Sequence, residues 1–439
     1  AQVAAIDPQD LAAMATSELT KLSTAQVRAL STDQVQGLTS SQVAALTSAQ
    51  IGALTTAQVA AIDAVDLAAL STLSLSRLST EQISALTTAQ LQSLSSAQFV
   101  GLSSAQLAAL GSAQLAAVDA EDLAALDTVA ISRLGTAQVA GLTAEQLQTL
   151  GTAQIAALAP ASVTALSTDQ IQALWADQVT ALTSTQVAAL GTAQIAVLEV
   201  EDIEALDPAM VSRLSTAQVG ALTTAQMVAL TTDQAAVLTT AQVAALSTTQ
   251  LVALDSQDIA QLSTAAVVAL TTAQVAAMTD GQVAAFTPEQ VTVMQTADIA
   301  ALSTAQFAAL GSDQTSALSV AQMAAISSAQ LGAMQPAAVS TLSEAVVASM
   351  SSAQLGALSN AQIAALNAYQ VAALSATQIP HLSTEQIRSI QTVDLPSLTS
   401  SAVAALTTAQ VSALTNAQVQ ALTTVQAAAL GSAQGAALS

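Results

Sequence analysis

Cysteine is absent from the 439 residues, which removes disulfide frameworks, thiolate nucleophiles and cysteine-ligated metal centres together. Positive charge is scarce as well: six Lys and Arg stand against 29 Asp and Glu, a formal net charge of -23. Such a chain repels phosphate backbones and anionic lipid surfaces, so no nucleic-acid partner is expected. The five aromatic residues, Phe99, Trp175, Phe286, Phe307 and Tyr369, are scattered and offer no stacking platform for bases or sugars. The single histidine, His381, lies beside Pro380 with no acidic neighbour at ligand spacing, and reads as a surface or satisfied histidine rather than a catalytic one. Serine and threonine are plentiful, but no positioned base accompanies them. No catalytic residue, no resident cofactor and no enzymatic activity is therefore expected. No uninterrupted apolar run approaches the roughly 18 residues that a membrane-spanning helix needs. The sequence begins at Ala1 without Met or a signal-like segment, which suggests a processed form or a window of something longer.

What the chain has in abundance is one phrase. LTTAQVAAL at 238–246 returns as LTTAQVAAI at 54–62 and as LTTAQVSAL at 406–414. Stepping by eight from Ile6 through Met14, Leu22 and Leu30 to Leu438 meets 55 positions, each Leu, Ile, Met, Val or Phe, with no insertion or deletion. Three residues before each lies a second apolar series, Val3, Leu11, Leu19, Val27 and onward, relaxed to small or polar residues only at places such as Ala235, Thr315, Ala427 and Gly435. A single long helix cannot carry this pattern, because an eight-residue step displaces the apolar stripe by roughly 80° each time. A β-strand fails too, since spacings of three and five alternate faces.

A short helix and a sharp turn in every octad remain. The residue after each Leu has the character of an N-cap: Asp7, Ser23, Ser31, Thr39, Thr47, Thr55. Three residues further on, 39 of the 55 octads carry Gln, completing a capping box, while the Leu before the cap and the Val four after it form a hydrophobic staple. Pro8, Pro160, Pro208, Pro288 and Pro336 fall directly after the cap, where a missing N–H is harmless. Pro380 and Pro396 fall inside the short helix and should distort it. A helix of about six or seven residues is unstable alone and must be held by its neighbours. The expected fold is therefore an all-α solenoid of about 55 octads, rod-like and continuous over 1–439 without separate cap domains, with two to four octads per coil. Ala pairs such as Ala244 and Ala245 are assigned to its close-packed face.

A coarser rhythm interrupts the octads. Asp replaces the Gln at Asp10, Asp66, Asp122, Asp202, Asp258, Asp298 and Asp394, and in all but one case the next octad also lacks Gln. The first three of these doublets lie seven octads apart, and Lys21, Arg77, Arg133 and Arg213 each follow an Asp by eleven residues. That spacing suggests a duplicated unit or a regularly spaced lateral contact. Grouped carboxylates at Asp7 with Asp10, Asp63 with Asp66, Asp119 with Glu121 and Asp122, and Asp255 with Asp258 are the candidate ligands for Ca²⁺. Against this, Asp is a good cap and first-turn residue, its charge answered by the cation across adjacent octads, and no loop supplies the six to eight oxygens that Ca²⁺ prefers. Trp175 occupies a cap site and should project outward.

The stretch FTPEQVTVM at 286–294 is similar to the opening helix of TAL-effector repeats, through shared capping chemistry alone. Over its whole length the chain resembles the very long secreted proteins of Gram-negative bacteria whose Ala/Thr/Gln/Leu octapeptides, such as TTAQVAAL here, repeat for hundreds of residues. That resemblance implies an extracellular or cell-surface structural role, as a biofilm fibre or adhesin stalk. The expected function is a filament or matrix-fibre subunit whose partner is a second copy, joined head to tail or laterally, with a monomeric adhesin stalk as the alternative. Both sequence ends fall within an octad, which fits a stacking surface or a cut section. A mean hydropathy of +0.58 with so few charges favours a surface that is largely covered.

Overall fold

Each octad folds as one short helix start, and the octad 39–46 shows how. Thr39 enters with extended backbone, and its Oγ1 accepts the Gln42 N–H at 3.3 Å while its own N–H donates to Gln42 Oε1 at 2.9 Å. The helix runs Ser40–Ala45. The Leu46 N–H then closes it on the Val43 carbonyl at 3.2 Å. Leu46 and Thr47 are both extended, and these two residues make the turn. No described residue, glycine included, has a positive φ. The turn therefore needs no left-handed residue, which is how a chain with 15 glycines makes so many of them.

The computed structural model describes residues 2–438. Among these it holds 52 α-helices of four to six residues, three short 3₁₀ turns and no strand. The longest helices reach the lower of the six or seven residues expected and none exceeds it, because the Leu that ends each octad already belongs to the turn. Pro8, Pro160, Pro208, Pro288 and Pro336 each open a helix. Pro380 and Pro396 reduce their octads to the 3₁₀ turns Ile379–His381 and Leu395–Ser397, as a proline inside a single helical turn must.

The chain divides into two compact units, 1–214 and 215–439, and each is an α-solenoid. Within each unit a helix packs on the helix three octads later, as Ala120–Ala124 does on Ala144–Thr149 and Ser328–Ala333 on Ser352–Ala357. Side chains that bond from coil to coil join residues 23 to 31 apart, from Thr315 with Ala338 to Gln42 with Leu11. One coil is therefore close to three and a half octads.

Inside the coil lie the two apolar series: Val43 is fully buried and Leu46 almost so. Phe99 and Phe307 fill the same fully buried site that Val occupies elsewhere. The Ala pair is not part of this core. Ala244 and Ala245 are exposed, because the inward positions are taken by Gln242 and Val243 of the helix and by Leu246 of the turn after it.

Candidate functional site

Glutamine does more than cap. Gln42 is 2 % exposed, and its Nε2 donates to the carbonyls of Leu11, Ala12 and Met14 at 2.9, 3.2 and 2.8 Å. Those carbonyls lie at the end of a helix and in the turn after it in the preceding coil, and the Leu11 carbonyl takes the amide in addition to the Met14 N–H that closes its helix. The bond recurs in both units at the same offsets: Gln146 reaches Leu115 and Val118 at 2.9 and 2.7 Å, and Gln282 reaches Leu251 and Leu254 at 2.9 and 2.8 Å. One planar amide thus accepts from the cap of its own helix and donates to the coil before it. Sequence reasoning found the first role and missed the second, because the acceptors lie more than three octads away and no local pattern marks them.

The ladder is interrupted where two successive octads lack the amide. In the first unit this happens at Asp10–Glu18, Asp66–Ser74, Asp122–Ala130 and Asp202–Met210, at intervals of seven, seven and ten octads. In the second it happens at Asp258–Ala266, Ala338–Val346 and Asp394–Ala402, at intervals of ten and seven octads. Seven octads make two coils and ten come close to three, so within each unit the interruptions stack on one side of the superhelix. The Ala338–Val346 pair carries no Asp and is marked only by the missing Gln.

An Asp in the Gln position keeps the acceptor and loses the donor. Asp258 is 1 % exposed. Its Oδ2 accepts the Asp255 N–H at 3.1 Å, and its own N–H donates to Asp255 Oδ1 at 2.8 Å. Burial, partly offset by the Asp255 backbone N–H and reinforced by the Asp255 charge, pushes the Asp258 carboxyl up to about 6. Burial likewise raises Asp202, where the Glu199 N–H opposes and the charges of Glu199 and Glu201 add. Burial raises Asp298 against a hydroxyl bond from Thr272 at 2.9 Å. Asp66 accepts the Ser40 hydroxyl from the preceding coil. At two sites the roles are exchanged: with Asp at 298 and 394, Gln295 and Gln391 take the cap and donate to the Val268 and Ala364 carbonyls at 2.9 and 2.6 Å.

The candidate Ca²⁺ ligands are placed as follows. Asp7 caps its helix through the Gln9 N–H at 2.8 Å, and Asp10 is exposed. Asp63 and Asp119 sit at caps without a side-chain bond, and Asp66, Asp255 and Asp258 are engaged as above. Half-buried Asp122 lines an open groove of about 440 Å³ with Asp119, Glu121 and Glu145. Among the described residues no three His, Asp or Glu converge closely enough to hold a metal ion.

The cations are not paired across adjacent octads. Lys21 pairs with Glu18 of its own octad at 2.7 Å, while exposed Arg77, Arg133 and Arg213 pair with no described acid. At Asp66 and Asp202 the carboxylate is buried, whereas the cation at the end of the next helix is exposed. Trp175 projects into solvent, 59 % exposed, while its backbone N–H donates to Gln178 Oε1 at 2.9 Å. His381 is exposed at the end of a 3₁₀ turn.

A model of the ALTTAQ repeat matches residues 3–40, 27–56, 59–96, 88–120, 116–152, 147–184, 195–232, 251–288, 291–328, 347–384 and 387–424, well over half of the chain. The match at 3–40 encloses Gln34 together with its acceptors Val3 and Ile6, so it spans a coil-to-coil bond as well as single octads. No curated protein matches the chain.

Proposed function

From the premise that the chain belongs to the ALTTAQ repeat family, we propose a structural role, as the subunit of an extracellular filament or matrix fibre built by solenoid stacking. The observation that carries this reading is the amide ladder. Each coil presents carbonyls at its helix ends and turns, and the next coil presents Gln amides at matching offsets, so one addition rule serves most steps within each unit and can serve between chains. A mean hydropathy of +0.58 also favours a surface covered in an assembly. The extracellular assignment draws on the resemblance to secreted octapeptide proteins and on the absence of cysteine.

A second reading, a monomeric stalk of a surface adhesin, draws on the net charge of -23, which opposes the approach of like copies. Electron microscopy of the purified chain at physiological salt separates the two. Fibres far longer than a single chain are expected, and dispersed single particles at all concentrations would overturn the filament in favour of the stalk.

A further inference from the structure

In the octad that follows the interruption at Ala130, one Gln amide joins two backbone groups. Gln138 Oε1 accepts the Gly135 N–H at 2.8 Å, and its Nε2 donates to the Leu110 carbonyl of the preceding coil at 2.8 Å. Eight residues earlier the corresponding groups are the Asp127 N–H and the Leu102 carbonyl, and Ala130 stands at the position of the Gln. Among the described residues no acceptor takes that N–H and no donor reaches that carbonyl. The Asp127 side chain is engaged elsewhere, with its Oδ1 accepting the Ala130 N–H at 2.7 Å.

Replacing Gln by Ala also opens space between the coils. A groove of about 390 Å³ lies there, lined by Leu102, Asp127 and Ala130 together with Val100, Leu107 and Leu126. Apolar walls with one donor and one acceptor, set as the two ends of a single amide, are the make-up of a small-ligand site.

We propose that this groove binds a primary carboxamide supplied from outside the chain, its oxygen accepting the Asp127 N–H and its nitrogen donating to the Leu102 carbonyl. The two backbone groups select the ligand. A carboxylate accepts but cannot donate, and the Asp127 charge repels it, while an alkylammonium donates but cannot accept. Water does both but leaves the apolar walls uncovered, whereas the alkyl stem of an amide covers them and the amide reproduces both bonds. The site stands whether or not the chain forms fibres.

The test follows the Asp127 N–H by NMR in the full chain, isotope-labelled at aspartate nitrogen, with the signal assigned by its loss in Asp127→Ser. Propionamide, which is the Gln side chain detached from its backbone, should shift this signal saturably. Propionate and propylammonium, each lacking one of the two bonds, should bind roughly tenfold more weakly or not at all. Ala130→Gln restores the rung without changing the charge, so it should abolish the propionamide response and keep the helical circular dichroism. N-acetylglutamine N-methylamide distinguishes the source of the amide. Binding tighter than propionamide assigns it to a Gln side chain of another polypeptide, and equal or weaker binding assigns it to a small free amide. A shift that rises without saturating, an equal response to propionate, or an unchanged response in Ala130→Gln would each overturn the site.

Discussion

A primary amide carries a carbonyl acceptor and two N–H donors on one rigid plane, and Gln282 uses both ends: Oε1 takes the Thr279 N–H at 3.0 Å and Nε2 serves the Leu251 and Leu254 carbonyls. Glutamate matches the shape and cannot donate. Gln282→Glu buries a carboxylate against helix-end carbonyls, so it should cost about 2 to 4 kcal/mol at pH 7, most of it recovered at pH 4 as the carboxyl protonates. Urea denaturation at the two pH values checks this. Asp258 is the native counterpart. Its carboxyl is raised in the fold to about 6 from 3.8, so the folded chain holds a proton that the unfolded chain releases. The stability from that proton is complete below pH 3.8 and is lost as pH rises through 6. Asp258→Asn should stabilise the chain at pH 7 by up to about 3 kcal/mol and flatten the decline between pH 4 and 6, seen as the difference in thermal melts between variant and wild type.

The helices are too short to survive alone, and each depends on how closely its neighbours approach. Gly141 marks the tightest approach: a Cβ there would stand 2.7 Å from the Ser112 Cβ in the preceding coil. Gly220, inside the helix Thr216–Ala221, meets nothing within 4 Å. Gly141→Ala should therefore destabilise by about 1 kcal/mol or more, with Ser112→Gly recovering most of the loss. Gly220→Ala should stabilise by about 0.5 to 1 kcal/mol through helix propensity. Chemical denaturation of the variants, with the opposite signs expected at the two glycines, checks the packing. At this scale the sequence was most legible. Caps, the Gln box, the five opening prolines and the two that break helices all depend on neighbours within four residues. The surface position of Ala244 and Ala245 was misread because their side depends on where the helix stops, and Leu46-type residues end it sooner than the apolar pattern implies.

Over whole units the repeat becomes a ruler. The interval of seven octads between Asp10, Asp66 and Asp122 had no meaning until the coil was known to take three and a half octads, since only then do seven octads make two coils. Number of octads per coil is a sum over many small turns, so no single motif encodes it, and the acceptors of each Gln amide were hidden for the same reason. The candidate carboxylates were readable as residues, but their engagement with caps and with hydroxyls such as Ser40 was not. The claim on which everything else rests is that residues about three and a half octads apart touch. Because the chain has no cysteine, this can be measured by cross-linking. Thr315 Oγ1 and Thr341 Oγ1 lie 3.0 Å apart across 26 residues, so Thr315→Cys/Thr341→Cys should form an intramolecular disulfide quantitatively under mild oxidation. The displaced pair Thr315→Cys/Ser349→Cys should stay reduced. Free thiols in the first pair, or equal cross-linking in both, would contradict the coil.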